Sequence, residues 1–179
     1  MRKLLNEELE RLDIQEFKSS SKLPVVIVLD NVRSLNNIGS VFRTSDAFRL
    51  ESIALCGITA TPPHKDIHKT ALGATESVSW KYYKRTLEAI MELKGQGYRI
   101  ISVEQVVGGV MLENLEVDVS EKYALVMGHE MKGVQQEVIA ASDLCVEIPQ
   151  YGTKHSLNIS VAAGIVTWEM FKQLRGVLK

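Results

Sequence analysis

Three short segments of this chain concentrate the side chains that can do chemistry. The first, Asp30 to Ile38 (DNVRSLNNI), leads into a helix that carries Arg43. The second, Gly128 to Gly133 (GHEMKG), carries Glu130. The third, Ile148 to Ala163 (IPQYGTKHSLNISVAA), crowds Lys154, His155, Ser156 and Asn158 ahead of the apolar run Ile159 to Trp168. Such corners can hold a ligand, or they can be ordinary polar connections with capped helix starts. In the first segment Asn36 and Asn37 are the expected caps, and Gly39 permits close backbone approach. Arg43, six residues past Asn37, offers a planar fork suited to a phosphate or to ribose oxygens. The plainer reading pairs it with Asp46 on the helix surface.

The second segment is not GxGxxG, and no GxxxxGK[ST] occurs in the chain, so a dinucleotide fold or a P-loop enzyme is poorly supported. Gly128 would let a ligand approach the backbone, and Glu130 is expected to brace a neighbouring loop. His64 and His68 are four apart, but no third ligand of metal type adjoins them, so no metal site is expected. His129 and His155 each adjoin a segment, where a lone histidine more often serves as a hydrogen-bond partner than as a base. Trp80, Tyr82 and Tyr83 lie beside Lys81, Lys84 and Arg85, which fits a stacking patch for bases or an ordinary amphipathic strand.

The elements that must position these residues alternate. Apolar runs and turn residues predict strands at Val25–Leu29, Ser52–Cys56, Val78–Tyr83, Arg99–Val103, Tyr123–Met127 and Leu144–Ile148. Helical spacing predicts helices at Lys3–Phe17, Ile38–Phe48, Thr86–Lys94, Val134–Ala141 and Ile159–Leu174. Lys18 to Lys22 reads as a linker, and Gly57 to His68 as a loop punctuated by Pro62 and Pro63. The pattern predicts an α/β domain with a mostly parallel sheet flanked by helices, spanning 23–179 behind an N-terminal helical extension and linker, 1–22. In such sheets ligands bind beyond the carboxyl ends of the strands, where all three polar segments lie.

At 179 residues the chain fits one domain with a sizeable core. Its apolar runs are too short to cross a bilayer, and charge from Arg2 onward argues against a signal peptide or anchor. Cys56 and Cys145, without CxxC spacing, read as small core residues of a reducing, cytoplasmic compartment. The net charge of -1 conceals an asymmetry. Asn31 to Arg85 carries eight basic and four acidic residues, Thr86 to Gln150 four and eleven, and Tyr151 to the end four and one. Collected basic charge suits one face turned to a polyanion, and an acidic solvated helix face would leave the same imbalance.

Taken together, NNIGSVFRTSDAF from Asn36, VMGHEMKGV from Val126 and IPQYGTKHSLNISVAA resemble the three ordered motifs of the SpoU/TrmH family, RNA ribose 2′-O-methyltransferases that use S-adenosylmethionine. KTALGATESVSW, from Lys69 to Trp80, is similar to the family as well, and the resemblance runs from about Val25 to about Leu174. It implies a C-terminal deep trefoil knot, which general connection rules would not suggest. It also implies a homodimer with the active site near the subunit interface. By position, the resemblance assigns Gly128, Ile148 and Leu157 as the main contacts of S-adenosylmethionine, helped by Met127, Gln150, Val103 and Glu104. Asn37, Arg43, Glu130, Ser156 and Asn158 match the functional polar set. Gln150 stands where the family commonly has methionine. The single helical extension, with no separate RNA-binding domain, is more similar to the transfer-RNA enzymes than to those acting on ribosomal RNA.

Overall fold

The computed structural model describes residues 1–178; Lys179, the last residue of the expected domain 23–179, lies outside them. Seven strands form one sheet: β1 (Leu23–Asp30), β2 (Leu50–Cys56), β3 (Trp80–Tyr83), β4 (Tyr98–Val103), β5 (Val110–Met111), β6 (Lys122–Met127) and β7 (Leu144–Glu147). Every pairing is parallel, in the order β3-β2-β1-β6-β4-β7-β5. The continuous apolar run of β1 has a direct cause. Val25, Ile27 and Leu29 enter one core, while Val26 and Val28 enter a second on the opposite face. A strand covered on both sides cannot afford alternation.

Helices α1 (Ile14–Ser19), α2 (Leu35–Ala47), α3 (Lys65–Ala71), α4 (Ala74–Ser77) and α7 (Ile159–Leu174) contribute to the first core, and α5 (Thr86–Gly95) and α6 (Gln136–Ala141) to the second. The expected helix Ile159–Leu174 forms over those residues. Val166, Thr167, Met170 and Leu174 are fully buried on its inner side.

Several expected elements change. The helix Lys3–Phe17 is broken into a 3-10 turn at Asn6–Leu9 and the short α1, because Glu10 takes the left-handed region at φ 43°. Asp13 restarts the chain as a helix, accepting from Glu16 N at 2.8 Å while Glu16 accepts from Asp13 N at 2.8 Å. Leu4, Leu5 and Leu12 therefore stay exposed and only Phe17 is buried, so tertiary burial never selects the longer helix. The linker shortens accordingly, since α1 runs to Ser19. The loop expected to reach His68 ends at His64, whose Nδ1 caps α3 by accepting from Asp66 N at 3.2 Å. That contact occupies His64, and no cluster of metal-binding side chains occurs among the described residues.

Strand β3 starts at Trp80 rather than Val78, because Val78 closes α4. The two-residue β5 and the 3-10 turn Leu112–Asn114 had no periodic signal. Helix α2 is capped by Ser34, which accepts from Asn37 N at 3.3 Å, rather than by Asn36 or Asn37. Asp46 receives the Ser77 hydroxyl instead of Arg43. Gly39 does serve a close approach: a Cβ there would meet the Ile67 carbonyl oxygen at 2.3 Å, so α3 lies directly on α2. Burial pushes the Cys56 thiol up to about 12, which fits its reading as a small core residue, whereas Cys145 is only half-buried, though burial raises its thiol too. Among the described residues no helix is long and apolar enough to cross a membrane.

Candidate active site

The carboxyl ends of β1, β4, β6 and β7 meet at one rim, since β6 lies between β1 and β4, and β7 beside β4. The three polar segments leave that rim and are joined by side chains. Glu130 accepts from Arg33 N at 3.1 Å through Oε2 and from Ser34 N at 2.9 Å through Oε1. The Asn37 amide donates to Glu130 Oε1 at 3.3 Å. Asn158 Nδ2 donates in turn to Asn37 Oδ1 at 3.1 Å. Asn158 also caps α7, its Oδ1 accepting from Ser160 N at 2.9 Å and Ser160 Oγ at 2.7 Å. One continuous chain, Glu130–Asn37–Asn158, thus ties the first, second and third segments together. Burial would push the Glu130 carboxyl up, but N–H groups of Glu130 itself, Ser34 and Arg33, with the Asn37 amide, outweigh it and hold it below the usual carboxylate range.

Beside this chain opens a cleft of about 580 Å³. Its lining includes Val103, Glu104, Met127, Gly128, Ile148, Gln150 and Leu157, the seven residues expected around a cofactor. Glu130, Ser156 and Asn158 line it too. The volume falls within the range of small-molecule sites, about 300–1,000 Å³. Three carboxylates, Glu104, Glu130 and Glu147, line the cleft beside Lys132, His129 and His155, and the carboxylates suit a ligand bearing positive charge. S-adenosylmethionine, with a sulfonium and an ammonium group, fits that chemistry.

Gly128 has a structural role besides lining the cleft. A Cβ there would meet Gly133 C and Val134 N at 2.2 Å, so its missing side chain lets the loop fold back on its own backbone. The loop closes as His129 N donates to Gly133 O at 3.0 Å and Gly133 N to His129 O at 2.8 Å. Glu104 fastens it from the neighbouring strand, accepting from Val134 N at 2.8 Å.

Arg43 is not in the cleft. Six helical residues from Asn37 correspond to about 9 Å of rise and two-thirds of a turn in facing, which aims the two side chains apart. Arg43 is exposed, has no hydrogen-bond or ion-pair partner among the described residues, and lines a separate hollow with Ser40, Thr44, Phe48, Lys69 and Thr70.

Sequence reasoning missed Asp30. It is fully buried and accepts from Thr86 Oγ1 at 2.6 Å, Asn31 Nδ2 at 2.8 Å and Gln135 N at 2.8 Å. It therefore fixes the far end of the Glu130 loop to β1. An acid closing an otherwise apolar strand was the available signal, because a buried carboxylate needs donors.

An all-parallel α/β sheet with a polar-walled cleft at its carboxyl rim has the architecture in which such sheets hold small-molecule ligands. The SpoU rRNA Methylase family matches residues 24–168, and the chain belongs to that family. It is 32% identical over 151 residues to a tRNA (guanosine(18)-2′-O)-methyltransferase of Borreliella burgdorferi, covering 84% of this chain and 67% of that protein. It therefore spans about two thirds of that relative's length. The A. aeolicus TrmH/SpoU tRNA modifying enzyme superposes with a TM-score of 0.80 at 26% identity, over 92% of this chain and 83% of that one. An AdoMet-bound rRNA methyltransferase from Sinorhizobium meliloti gives 0.78 at 26% identity, over 88% and 58%.

Proposed function

We propose that this chain is an S-adenosylmethionine-dependent RNA methyltransferase acting on a ribose 2′-oxygen, with tRNA as the favoured substrate. The observation that carries this reading is the Glu130–Asn37–Asn158 chain standing beside a cleft lined by all seven expected cofactor residues. The names of the similar proteins from Borreliella burgdorferi, a tRNA (guanosine(18)-2′-O)-methyltransferase, and A. aeolicus, a tRNA modifying enzyme, support tRNA.

When bound, S-adenosylmethionine supplies an electrophilic methyl group. Ile148 and Leu157 provide apolar walls for the donor, and the Gln150 amide is available to hydrogen-bond it. Ser156 and Asn158 orient the target hydroxyl, while Glu130 holds Asn37 and so fixes Asn158. Arg43 orients the ribose and adjacent phosphate and stabilises negative charge developing on oxygen.

We further propose a homodimer whose active site lies near the subunit interface. Two observations support it. Arg43 lies outside the cleft of its own subunit. On α7, Val161, Ile165 and Trp168 are 49%, 37% and 49% exposed, an apolar stripe at helical spacing. Trp168 continues into a ring cluster with Phe48 and Phe171, at centroid distances of 6.0 and 5.7 Å, bordering the Arg43 hollow. The reading extends to a C-terminal trefoil knot within the catalytic unit 23–179. It is supported by β7 inserting between β4 and β5, the strands joined by an earlier connection. A cytoplasmic location accords with RNA as substrate.

The test is transfer of labelled methyl groups to tRNA and rRNA separately, followed by nuclease mapping. Label at a ribose 2′-oxygen in tRNA is expected. Label confined to rRNA would reassign the substrate, and a folded protein that binds no S-adenosylmethionine by calorimetry would be a silent RNA-binding member instead.

A further inference from the structure

Methylating a ribose hydroxyl requires a proton acceptor, and the cleft narrows the choice. Guanidinium groups stay protonated, which removes Arg43 as an ordinary base. Glu130 is occupied by two backbone N–H groups and the Asn37 amide. Glu104 accepts from Gln105 N at 3.0 Å and Val134 N at 2.8 Å. His129 Nδ1 already accepts from Met131 N at 2.9 Å, so its other ring nitrogen carries the proton in the neutral form. Lys132 lines the cleft and Lys154 adjoins its wall, both as cations. Two acceptors remain without a partner among the described residues, Glu147 and His155. Glu147 ends β7, whereas His155 directly precedes Ser156 on the wall that carries the hydroxyl-orienting pair Ser156 and Asn158. Imidazole also matches proton abstraction near neutral pH better than a carboxylate does.

We propose that His155 is the general base of the transfer, resting on the reading of the site as a 2′-O-methyltransferase. As the 2′-oxygen gains its bond to the methyl carbon, the carbon–sulfur bond breaks and its electron pair stays on sulfur. The hydroxyl proton passes to a ring nitrogen of His155, which is exposed and returns it to solvent.

The test uses full-length His155→Gln and His155→Ala with an RNA that the wild type methylates. Because His155 is exposed and makes no hydrogen bond among the described residues, both variants are expected to fold, and calorimetry of S-adenosylmethionine binding separates a lost proton acceptor from a changed cleft wall. Single-turnover transfer should fall about 100-fold at pH 7. The acid limb of the wild-type pH–rate profile should vanish, and added imidazole should restore rate to His155→Ala alone. Variants that keep the wild-type rate and pH profile would overturn the role of His155 and point to a substrate phosphate as acceptor. Failure of imidazole rescue with a normal acid limb would overturn it equally. A wild type that methylates no ribose under any condition overturns the reading of the site itself, which separates the two failures.

Discussion

Asn158 donates its side-chain amide to Asn37 at 3.1 Å, joining residues 121 positions apart in the chain. Neither asparagine is spare. Asn37 also donates to Glu130, and Asn158 also caps α7, so the pair couples the helix that carries Arg43 to the helix behind the cleft. Asn37→Ala and Asn158→Ala should each slow methyl transfer, and in combination they should be non-additive. A double-mutant cycle is expected to give a coupling of about 0.5–3 kcal/mol. Additive effects on both stability and rate would show that the bond does not transmit position.

Glu130 gives the fold an acid-sensitive joint. Its folded pKa lies below the unfolded value, so its contribution is fully present above the ordinary glutamate range near about 4.3 and is lost as pH falls through the lowered folded value. Glu130→Gln should be less stable than wild type at pH 7. The gap should narrow as pH falls below the ordinary glutamate range, where the wild-type carboxyl takes up its proton. Chemical denaturation across pH 3 to 7 reads this directly. A gap that widens in acid would contradict the sign.

Gly128→Ala should disturb the cleft without touching its polar set. The added Cβ would strike backbone atoms of Gly133 and Val134 at 2.2 Å, and backbone cannot swing aside as a side chain does. A loss of roughly 1–3 kcal/mol in stability is expected, together with weaker S-adenosylmethionine binding by calorimetry. Gly133→Ala should act similarly, because Gly133 has φ 66° and faces the Glu104 carboxylate.

Arg43→Ala should leave donor affinity unchanged, since Arg43 is outside the cleft, while transfer drops by about 100-fold or more. Equilibrium binding and single-turnover kinetics on the same preparation separate the two. Undiminished transfer would remove Arg43 from the mechanism.

Ile165→Glu should convert a dimer to a monomer by placing charge in the middle of the exposed apolar stripe of α7. Light scattering across a concentration series measures it. A wild type that is already monomeric would end the interface reading.

Much of the strand framework was legible because its physics is local. The apolar runs of β1, β2, β4 and β6 announce burial on both faces, and the run after Asn158 announces α7. The seven positions that the resemblance assigned to the cofactor are spread over three motifs and the end of β4, and all seven line one cleft. The N-terminal helix was misread because a helical pattern of leucines has no force without a surface to bury them, and Leu4, Leu5 and Leu12 find none among the described residues. The cap of α2 was misplaced because asparagine and serine offer similar acceptors, and only backbone geometry chooses between them.

The sequence by itself determined the residue types at the rim: Asn37, Glu130, Ser156 and Asn158, each in a polar segment that follows an apolar strand. It also determined the parallel α/β class, because periodicity is written along the chain. Only the tertiary structure decided who touches whom. It joined Glu130, Asn37 and Asn158 in one line, put Arg43 in a hollow of its own, and left His155 with an unoccupied acceptor among the described residues. Those outcomes depend on strand order and on competition for hydrogen-bond donors across segments about a hundred residues apart, which no local pattern encodes.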